Sequence, residues 1–529
     1  MVETSDGSVA RTGGQIALAS TVSRITGFAR TIALTAVLGV ALVSDAYNAA
    51  NSFPNMVFQL LLGGILASVL LPYLTRQRTR GRVLELEQTQ RVLTVGAIAS
   101  ALVTVAAVLL APRIVAPLIK DPGQQELATL FAYLLLPEIF FYGVTAMMTA
   151  VLNVRSVFGA PAWAPVINNV VLLVTVAVFV CVPGPVTLTP ETMTTTQILV
   201  IGVGTLFGIV AQTTVVAVAL HRNGFRWNLH VRLVPYTWRP VRTGVPLLGW
   251  VLVYVVAGQV GVWVTMRVAL SHNVYAMYTN VDLLFQVAYG ILGVSLLTVL
   301  MPKIARSVAV GDDAGVVSDL GRGARYSVVA LIPVTVALMV LGPSLTTLIF
   351  FGQVDAASGR LIGTALAVSA FGLVPFAIVM LQLRVFYADN DTRTPALINI
   401  VMVVTKVTVV VLATATMGSE SVILALCVAG SVSYVSGAVL GHVLLRKRYG
   451  LLGFHHVVET FGRITAAAVF AGGCALAAVL VVQGSVEDPR VAAAVALTAG
   501  LTMGAVILLT ACKVVGVPEI RHARTLLRL

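Results

Sequence analysis

Two arginines lie inside the first apolar stretch of this chain, in the segment Ser23-Arg24-Ile25-Thr26-Gly27-Phe28-Ala29-Arg30. A charged side chain at bilayer depth costs at least about 2.5 kcal/mol, so it normally faces a partner or a water-filled cavity. Several polar residues around Arg24 share helical spacing and form one stripe: Ser20, Ser23, Arg24, Gly27 and Thr31. Arg30 lies about 120° further round the helix, so it either wraps towards the same ligand or extends to an interface. We predict that the stripe faces a wet cavity and that the ligand is anionic.

Apolar stretches dominate the rest of the chain, and they define the elements that must position these arginines. Charged residues make up 10% and hydrophobic residues 58% of the sequence, whereas charged residues make up about 25% of a soluble domain. Apolar runs of about 20 residues recur, each long enough to cross the bilayer as a helix. We predict an all-α polytopic membrane protein with about fourteen transmembrane helices, at 14–40, 47–74, 91–117, 127–153, 162–183, 196–220, 243–269, 275–304, 326–350, 360–387, 395–416, 421–445, 462–483 and 490–515.

Basic residues alternate between the connections. Arginine and lysine are concentrated after even-numbered spans and in the C-terminal tail, as in Arg446-Lys447-Arg448, whereas the odd-numbered connections are short and poor in both. By the positive-inside rule, the even connections and both termini are cytoplasmic. Topology therefore accounts for the net charge of +13, and no nucleic-acid partner is predicted.

Two pairs of segments recur about 230 residues apart and indicate an internal duplication. Pro165-Val166-Ile167-Asn168-Asn169 in the fifth span matches Pro395-Ala396-Leu397-Ile398-Asn399 in the eleventh, and Phe58-Gln59 in the second matches Phe285-Gln286 in the eighth. A six-helix unit repeats in the same orientation, so we predict two parallel lobes around a central cavity. The predicted domains are an N-terminal tail (1–13), an N-lobe (14–222), a basic linker (223–242), a C-lobe (243–448), two C-terminal helices (460–516) and a basic tail (517–529).

Two carboxylates lie in the N-lobe spans. Asp45 opens the second helix beside Asn48 and Asn51, where it either pairs with an arginine or simply interacts with the helix dipole. Glu138 follows Pro137 within the fourth span, where a carboxylate is costly and proline leaves backbone carbonyls unpaired. Glu138 is predicted to act in gating or proton coupling, with a local structural pair as the alternative.

The C-lobe carries a lysine at membrane depth. Lys406 lies near the middle of the eleventh span, where the repeat places Val176 in the fifth. A lysine there supplies a fixed or titrating internal charge. Asp282 and Arg267 are predicted to pair with each other or with Lys406, so Asp282, Asn399 and Lys406 are candidates for gating or coupling.

Soluble-enzyme motifs are absent from the sequence. It contains no Walker A loop, HExxH or GxSxG motif, and its four cysteines and seven histidines show no metal-ligand spacing. An intramembrane glycosyltransferase would need a large outer loop with acidic or histidine groups, whereas the predicted outer connections are short. We therefore predict no enzymatic activity, no cofactor and no bound metal.

Several motifs together resemble the MurJ (MviN) family of lipid II flippases. The first is the arginine segment above, followed by Ser44-Asp45-Ala46-Tyr47, Phe53-Pro54-Asn55 and Pro72. The second is Arg384-Val385-Phe386-Tyr387-Ala388 with Asp391-Thr392-Arg393-Thr394-Pro395, which is similar to the family signature between the tenth and eleventh helices. The alanine- and valine-rich style of the chain is also typical of a high-GC actinobacterium.

The resemblance implies a cationic cavity for the pyrophosphate and sugars of lipid II. Its predicted substrate-binding residues are Arg24, Arg30, Asp45, Asn51, Asn55, Gln59 and Gln286, and Arg384 joins the gating set. Where many members have arginines in the second and eighth helices, this chain has Phe58 and Leu283. Gln59 and Gln286 would supply neutral donors instead. Some members hold a sodium ion among the seventh, eleventh and twelfth helices, and Lys406 would replace that cation here.

The predicted function is therefore movement of lipid II from the cytoplasmic to the outer leaflet of the plasma membrane by alternating access. Helices 13 and 14 would form a groove for the polyprenyl tail, and a coupling ion or the membrane potential would drive transport. The alternatives are a flippase for another polyprenyl-linked glycan, or a multidrug antiporter of the same exporter superfamily. Membrane lipids are expected partners, and cell-wall synthesis or division proteins are further candidates.

Overall fold

A computed structural model describes residues 6–60, 82–185, 187–227, 239–416, 418, 421–452 and 455–515. The chain divides into two compact units. The first unit comprises Met1–Gln259 and Met266–Tyr275, and the second comprises Val260–Thr265 and Ala276–Leu529. The basic linker predicted at 223–242 lies partly outside the described residues, and the tail predicted at 517–529 lies wholly outside them.

The described residues form seventeen α-helices and no β-strand. The first nine helices are α1 (Asp6–Leu38), α2 (Leu42–Leu60), α3 (Arg82–Leu109), α4 (Ala111–Val115), α5 (Pro122–Leu135), α6 (Glu138–Val154), α7 (Gly159–Cys181), α8 (Thr195–Arg222) and α9 (Arg239–Ser271). The others are α10 (Tyr275–Ala309), α11 (Asp313–Ile349), α12 (Ala356–Ser369), α13 (Leu373–Ala388), α14 (Arg393–Thr416), α15 (Val422–Tyr449), α16 (His455–Ser485) and α17 (Pro489–Val515).

These helices lie at each of the predicted spans, although residues 61–74 of the second predicted span (47–74) lie outside the described residues. In the described part of the chain, eleven helical segments are long and apolar enough to cross a membrane. Helices α1, α2 and α10 lie at the other three predicted positions. The prediction of an all-α membrane protein with about fourteen spanning helices is confirmed.

The fourth span of each six-helix set is broken at its middle. In the first unit α5 ends at Leu135 and α6 begins at Glu138, with the N–H of Ile139 bonding three residues back to Leu136 at 3.0 Å. In the second unit a 3₁₀ turn, Ala370–Gly372, separates α12 from α13. Such tight turns replace the usual α-helical hydrogen bonds at a break. The same interruption therefore occurs once in each unit, as the predicted duplication requires.

Both broken spans also end with the same cap. The left-handed residue is Ser156 (φ 62°) after α6 and Asn390 (φ 59°) after α13. The following N–H groups, of Val157 and Asp391, bond five residues back at 2.9 and 3.0 Å. This is the Schellman arrangement, which pairs carbonyls that a helix end leaves open. The two units therefore share backbone detail as well as helix order.

In the first unit, α1 packs on α7 and α7 packs on α8. Gly204 and Gly208 of α8 face Thr175 and Asn168 of α7, and a side-chain carbon at Gly208 would lie 3.3 Å from the backbone oxygen of Asn168. This small-xxx-small spacing allows close contact between membrane helices. Helix α7 is thus a firm support for α1, the helix that carries Arg24 and Arg30.

In the second unit, α16 and α17 pack on each other and on α11. Their contact is built from Leu341, Val479 and Ala496, with Gly500 against Leu341. Large apolar side chains on the other faces of α16 and α17 are exposed: Val469, Phe470, Leu480, Val481, Val506 and Leu509. These two helices therefore offer an apolar surface beyond the six-helix sets.

Candidate functional site

The arginine segment of α1 is held by a single asparagine of α7. The side-chain amide of Asn169 donates to the backbone oxygen of Ser23 at 3.1 Å and to Oγ1 of Thr26 at 3.0 Å. Gly27 leaves room for this amide, since a side-chain carbon at that position would lie 3.4 Å from Asn169 Nδ2. Part of the predicted polar stripe therefore contacts α7, which binds α1 on either side of Arg24 through the Ser23 backbone and the Thr26 side chain.

The two arginines of α1 have different environments. Arg24 is exposed, whereas Arg30 is half-buried and its Nε atom lies in the interior with no hydrogen-bond partner among the described residues. This difference follows from their angular separation on one helix. Arg24 is thus available to a ligand, and Arg30 is directed towards the protein interior.

Arg30 shares the interior of the first unit with Glu138. Glu138 at the start of α6 has 0% exposure, and Arg30 is the charged group whose field acts on its carboxylate. Tyr47 and Tyr142 complete the cluster, and the electric fields of Arg30 and Glu138 act on both tyrosines. The Tyr47 hydroxyl lies 3.1 Å from Oγ1 of Thr205. This acid–base cluster joins α1, α2 and α6.

The polar residues of α2 are divided among several partners. Asp45 is fully buried, and its Oδ2 accepts a long hydrogen bond, 3.4 Å, from the backbone N–H of Tyr275 in the same unit. Asn55 donates to the backbone oxygen of Asn51 at 2.8 Å. Gln59 is exposed, and its Oε1 accepts from Nε2 of Gln259 at 3.0 Å. Gln59 thus acts as an acceptor towards α9, and this bond does not use the donor group predicted at Gln59.

Phe58, the residue in place of a family arginine, packs inside the first unit. Its ring centre lies 4.6 Å from that of Tyr142. The hydroxyl of Tyr142 lies 3.5 Å from Oδ1 of Asn55, at the outer limit of a hydrogen bond. Phe58 therefore belongs to the hydrophobic packing beside the acid–base cluster.

In the second unit, one face of α10 carries Tyr278, Asp282 and Gln286 at intervals of four residues. Nε2 of Gln286 donates to Oδ2 of Asp282 at 2.6 Å. Nζ of Lys406 in α14 donates to the Tyr278 hydroxyl at 3.2 Å, and its field acts on Asp282. Among the described residues no ion pair joins Asp282 to Lys406, so the predicted pairing is limited to this longer-range electrostatic influence.

A small cavity of about 30 Å³ opens beside this polar face. Its wall combines aromatic and polar side chains from three helices: Tyr278, Asp282, Phe285, Ser369, Ser431 and Tyr434. Oγ of Ser431 donates to the backbone oxygen of Ser369 at 2.8 Å, which joins α15 to the end of α12. The cavity has room for a water-sized polar group beside the Asp282 carboxyl group.

Three further predicted residues of the second unit do not line this cavity. Arg384 on α13 is exposed, and Leu283 and Asn399 are half-buried. The ammonium of Lys406 already supplies the positive charge that a sodium ion would bring, and it would repel a second cation. These residues therefore do not fit a sodium site at this position.

Several functional candidates were not predicted from the sequence, namely Tyr142, Asn169, Gln259 and Tyr278. Tyr142 follows Glu138 by four residues and Tyr278 precedes Asp282 by four, so helical spacing alone could have identified both. Asn169 and Gln259 act across helices, and no spacing within one helix reveals such a partner.

The family follows from a comparison of the whole chain. The model of the family described as "Lipid II flippase MurJ" matches residues 34–487. The chain belongs to the MurJ family. A curated relative, the probable lipid II flippase MurJ of Rhizobium meliloti (strain 1021), is 26% identical over 425 residues, which are 78% of this chain and 76% of the relative.

Solved structures agree on the fold. A structure described as lipid II flippase MurJ in an inward closed conformation matches with a TM-score of 0.75 at 15% identity, covering 94% of this chain and 98% of that chain. An inward-facing transporter of the multidrug MATE family and the MOP superfamily matches with a TM-score of 0.65 at 14% identity, covering 82% and 96%. At these identities the likeness shows the fold, which MurJ shares with that superfamily.

Proposed function

We propose that this MurJ-family chain moves lipid II from the cytoplasmic to the outer leaflet of the plasma membrane by alternating access. The observation that carries the proposal is Arg24, an exposed guanidinium within an apolar helix that Asn169 binds on either side of it, at the Ser23 backbone and the Thr26 side chain. A guanidinium binds phosphate oxygens through paired donors, so it suits a pyrophosphate. The family and its relatives, which are described as lipid II flippases, support this substrate.

The membrane potential would assist export of such a headgroup. A potential that is negative inside favours outward movement of an anion by about 2.3 kcal/mol per charge per 100 mV. Helices α16 and α17 would hold the polyprenyl tail, since their exposed side chains are large and apolar. The polar residues Asp45, Asn51, Asn55, Gln59 and Gln286 would contact the headgroup, and Glu138, Asp282, Arg384, Asn399 and Lys406 would act in gating.

The deciding experiment is complementation in cells depleted of their own lipid II flippase. We expect Arg24→Ala to abolish growth while membrane expression stays intact, and Arg24→Lys to restore part of it, because lysine keeps the charge without the paired donors. Arg113→Ala, which removes an exposed arginine of α4, is the matched control and should grow normally. Normal growth of Arg24→Ala would overturn the proposed role.

Two further measurements test the finer parts of the proposal. Reporter fusions at each terminus should place both in the cytoplasm, as the basic connections indicate. Native mass spectrometry should show lipid II binding in preference to other undecaprenyl-linked glycans. A reversed preference would favour the second candidate, a flippase for another polyprenyl-linked glycan. The observation behind this candidate is that Phe58 and Leu283 stand where many family members have arginines.

A further inference from the structure

Among the described residues, Glu138 combines full burial with two unpaired oxygen atoms. It has 0% exposure, and neither Oε1 nor Oε2 has a hydrogen-bond partner in this part of the chain. The start of α6 does not supply donors to the Glu138 carboxyl group. The N–H groups of Ile139 and Phe140 bond instead to the backbone oxygens of Leu136 and Pro137. A buried carboxylate without donors is costly, whereas its protonated form is far less so.

Arg30 is also not engaged, although it lies close enough to affect Glu138. Its Nε atom is buried without a partner, and within the described residues no ion pair joins it to Glu138. The other titratable groups around Glu138 are Tyr47 from α2 and Tyr142 from α6. Tyr47 is paired with Thr205, and Tyr142 faces Asn55, so neither donates to the carboxyl group. The positive charge of Arg30 is therefore not paired with the carboxyl group of Glu138.

We propose that Glu138 is a proton-binding site whose occupancy controls whether Arg30 is available to the diphosphate of the substrate. When Glu138 holds a proton, Arg30 keeps its positive charge free for an anion. When the proton passes from a carboxyl oxygen to bulk water, the carboxylate competes with the diphosphate for the guanidinium. No other bond changes. The inference rests on the proposed function, since it names how the same site is regulated.

Proton and diphosphate then bind cooperatively. By thermodynamic reciprocity, each raises the affinity for the other by the same factor. A loaded carrier would hold Arg30, the anion and a protonated Glu138, whereas an empty carrier at high pH would hold Arg30 and the Glu138 carboxylate. In both states the positive charge of the half-buried Arg30 has one compensating partner. Each headgroup would leave with a proton, which lowers the net charge moved across the membrane.

The test measures lipid II binding to the full chain in lipid nanodiscs at pH 6, 7 and 8. Titration calorimetry in two buffers of different ionisation enthalpy gives the number of protons taken up. We expect wild-type affinity to fall towards pH 8, by at most about tenfold per pH unit for one linked proton, with uptake of up to one proton. Glu138→Gln should bind with the same affinity at all three pH values and without proton uptake.

Glu126→Gln is the matched control, because Glu126 is an exposed carboxylate on the adjacent α5. It should keep the wild-type pH dependence. Wild-type affinity that does not change with pH would overturn the inference, and this result needs no variant to fold. A Glu138→Gln protein with the wild-type pH dependence would overturn it as well. Absence of lipid II binding at every pH would instead contradict the proposed function itself, and this inference with it.

Discussion

The contact between Asn169 and α1 gives a prediction whose size can be worked out. Asn169→Leu removes both amide donors while keeping a similar side-chain volume beside Gly27. Hydrogen bonds between membrane helices average about 0.6 kcal/mol each and reach about 1.7, so two of them contribute about 1.2 kcal/mol. Both acceptors keep a partner within α1, because Thr26 Oγ1 lies 2.8 Å from the backbone oxygen of Val22 and 3.2 Å from that of Ser23. The loss should therefore be modest.

A change of about 1.2 kcal/mol is a little less than tenfold in the equilibrium between docked and displaced α1. We expect Asn169→Leu to reduce lipid II flipping in proteoliposomes by several-fold, up to about tenfold, with expression and helix content unchanged. A double-mutant cycle with Thr26→Val should give a coupling of about 0.6 kcal/mol in thermal unfolding, since the two share one bond. Thr104→Val is the control, because its hydroxyl bonds only within its own helix.

Three results would refute this reasoning. Asn169→Leu with wild-type flipping would show that α1 needs no support from α7. Strict additivity of Asn169→Leu and Thr26→Val would show that the 3.0 Å contact does not contribute to stability. Loss of expression would also contradict it, because about 1.2 kcal/mol is too small to unfold such a chain.

Two further predictions concern the second unit. Gly363→Ala should lower the thermal midpoint sharply, because the added carbon would lie 2.5 Å from the backbone oxygen of Gly342. Gly321→Ala, where nothing lies within 4 Å, should leave the midpoint unchanged or raise it, since alanine adds up to about 1 kcal/mol of helix stability. Equal midpoints in the two variants would refute the packing argument. Lys406→Met should lower both stability and flipping because Asp282 loses the charge that acts on it, and adding Asp282→Asn should restore part of the stability. Additive losses in the double variant would show that the two charges are independent.

The helices could be predicted from the sequence because bilayer thickness fixes their length. Apolar runs of about 20 residues must form helices in a membrane, so the predicted spans coincide with helices throughout the described residues. The break near Pro137 was also indicated, since proline cannot continue the hydrogen bonding of a helix. The break at Ala370–Gly372 has no proline within it, and only the duplication suggests it.

The candidate site was less predictable because its contacts join different helices. The sequence indicated symmetric roles for Gln59 and Gln286, yet the structure pairs the first with Gln259 and the second with Asp282. Asp45 accepts a hydrogen bond from a backbone N–H, and a backbone donor cannot be identified from the residue types in a sequence. Helical spacing gives the face on which a polar residue lies, but the opposing face depends on packing between helices.

The replacement of a family arginine by Phe58 has a physical consequence for Arg30. The Phe58 ring stacks near Tyr142, one helical turn beyond Glu138, and packs into the hydrophobic core of the first unit. An arginine there would bring a second guanidinium towards Glu138 and would favour its ionised form by opposite charge. With an apolar ring instead, Arg30 is the charged group that acts on the acid. Under the proposed proton linkage, fewer arginines would not simply weaken anion binding, because the availability of the half-buried Arg30 would depend on one proton.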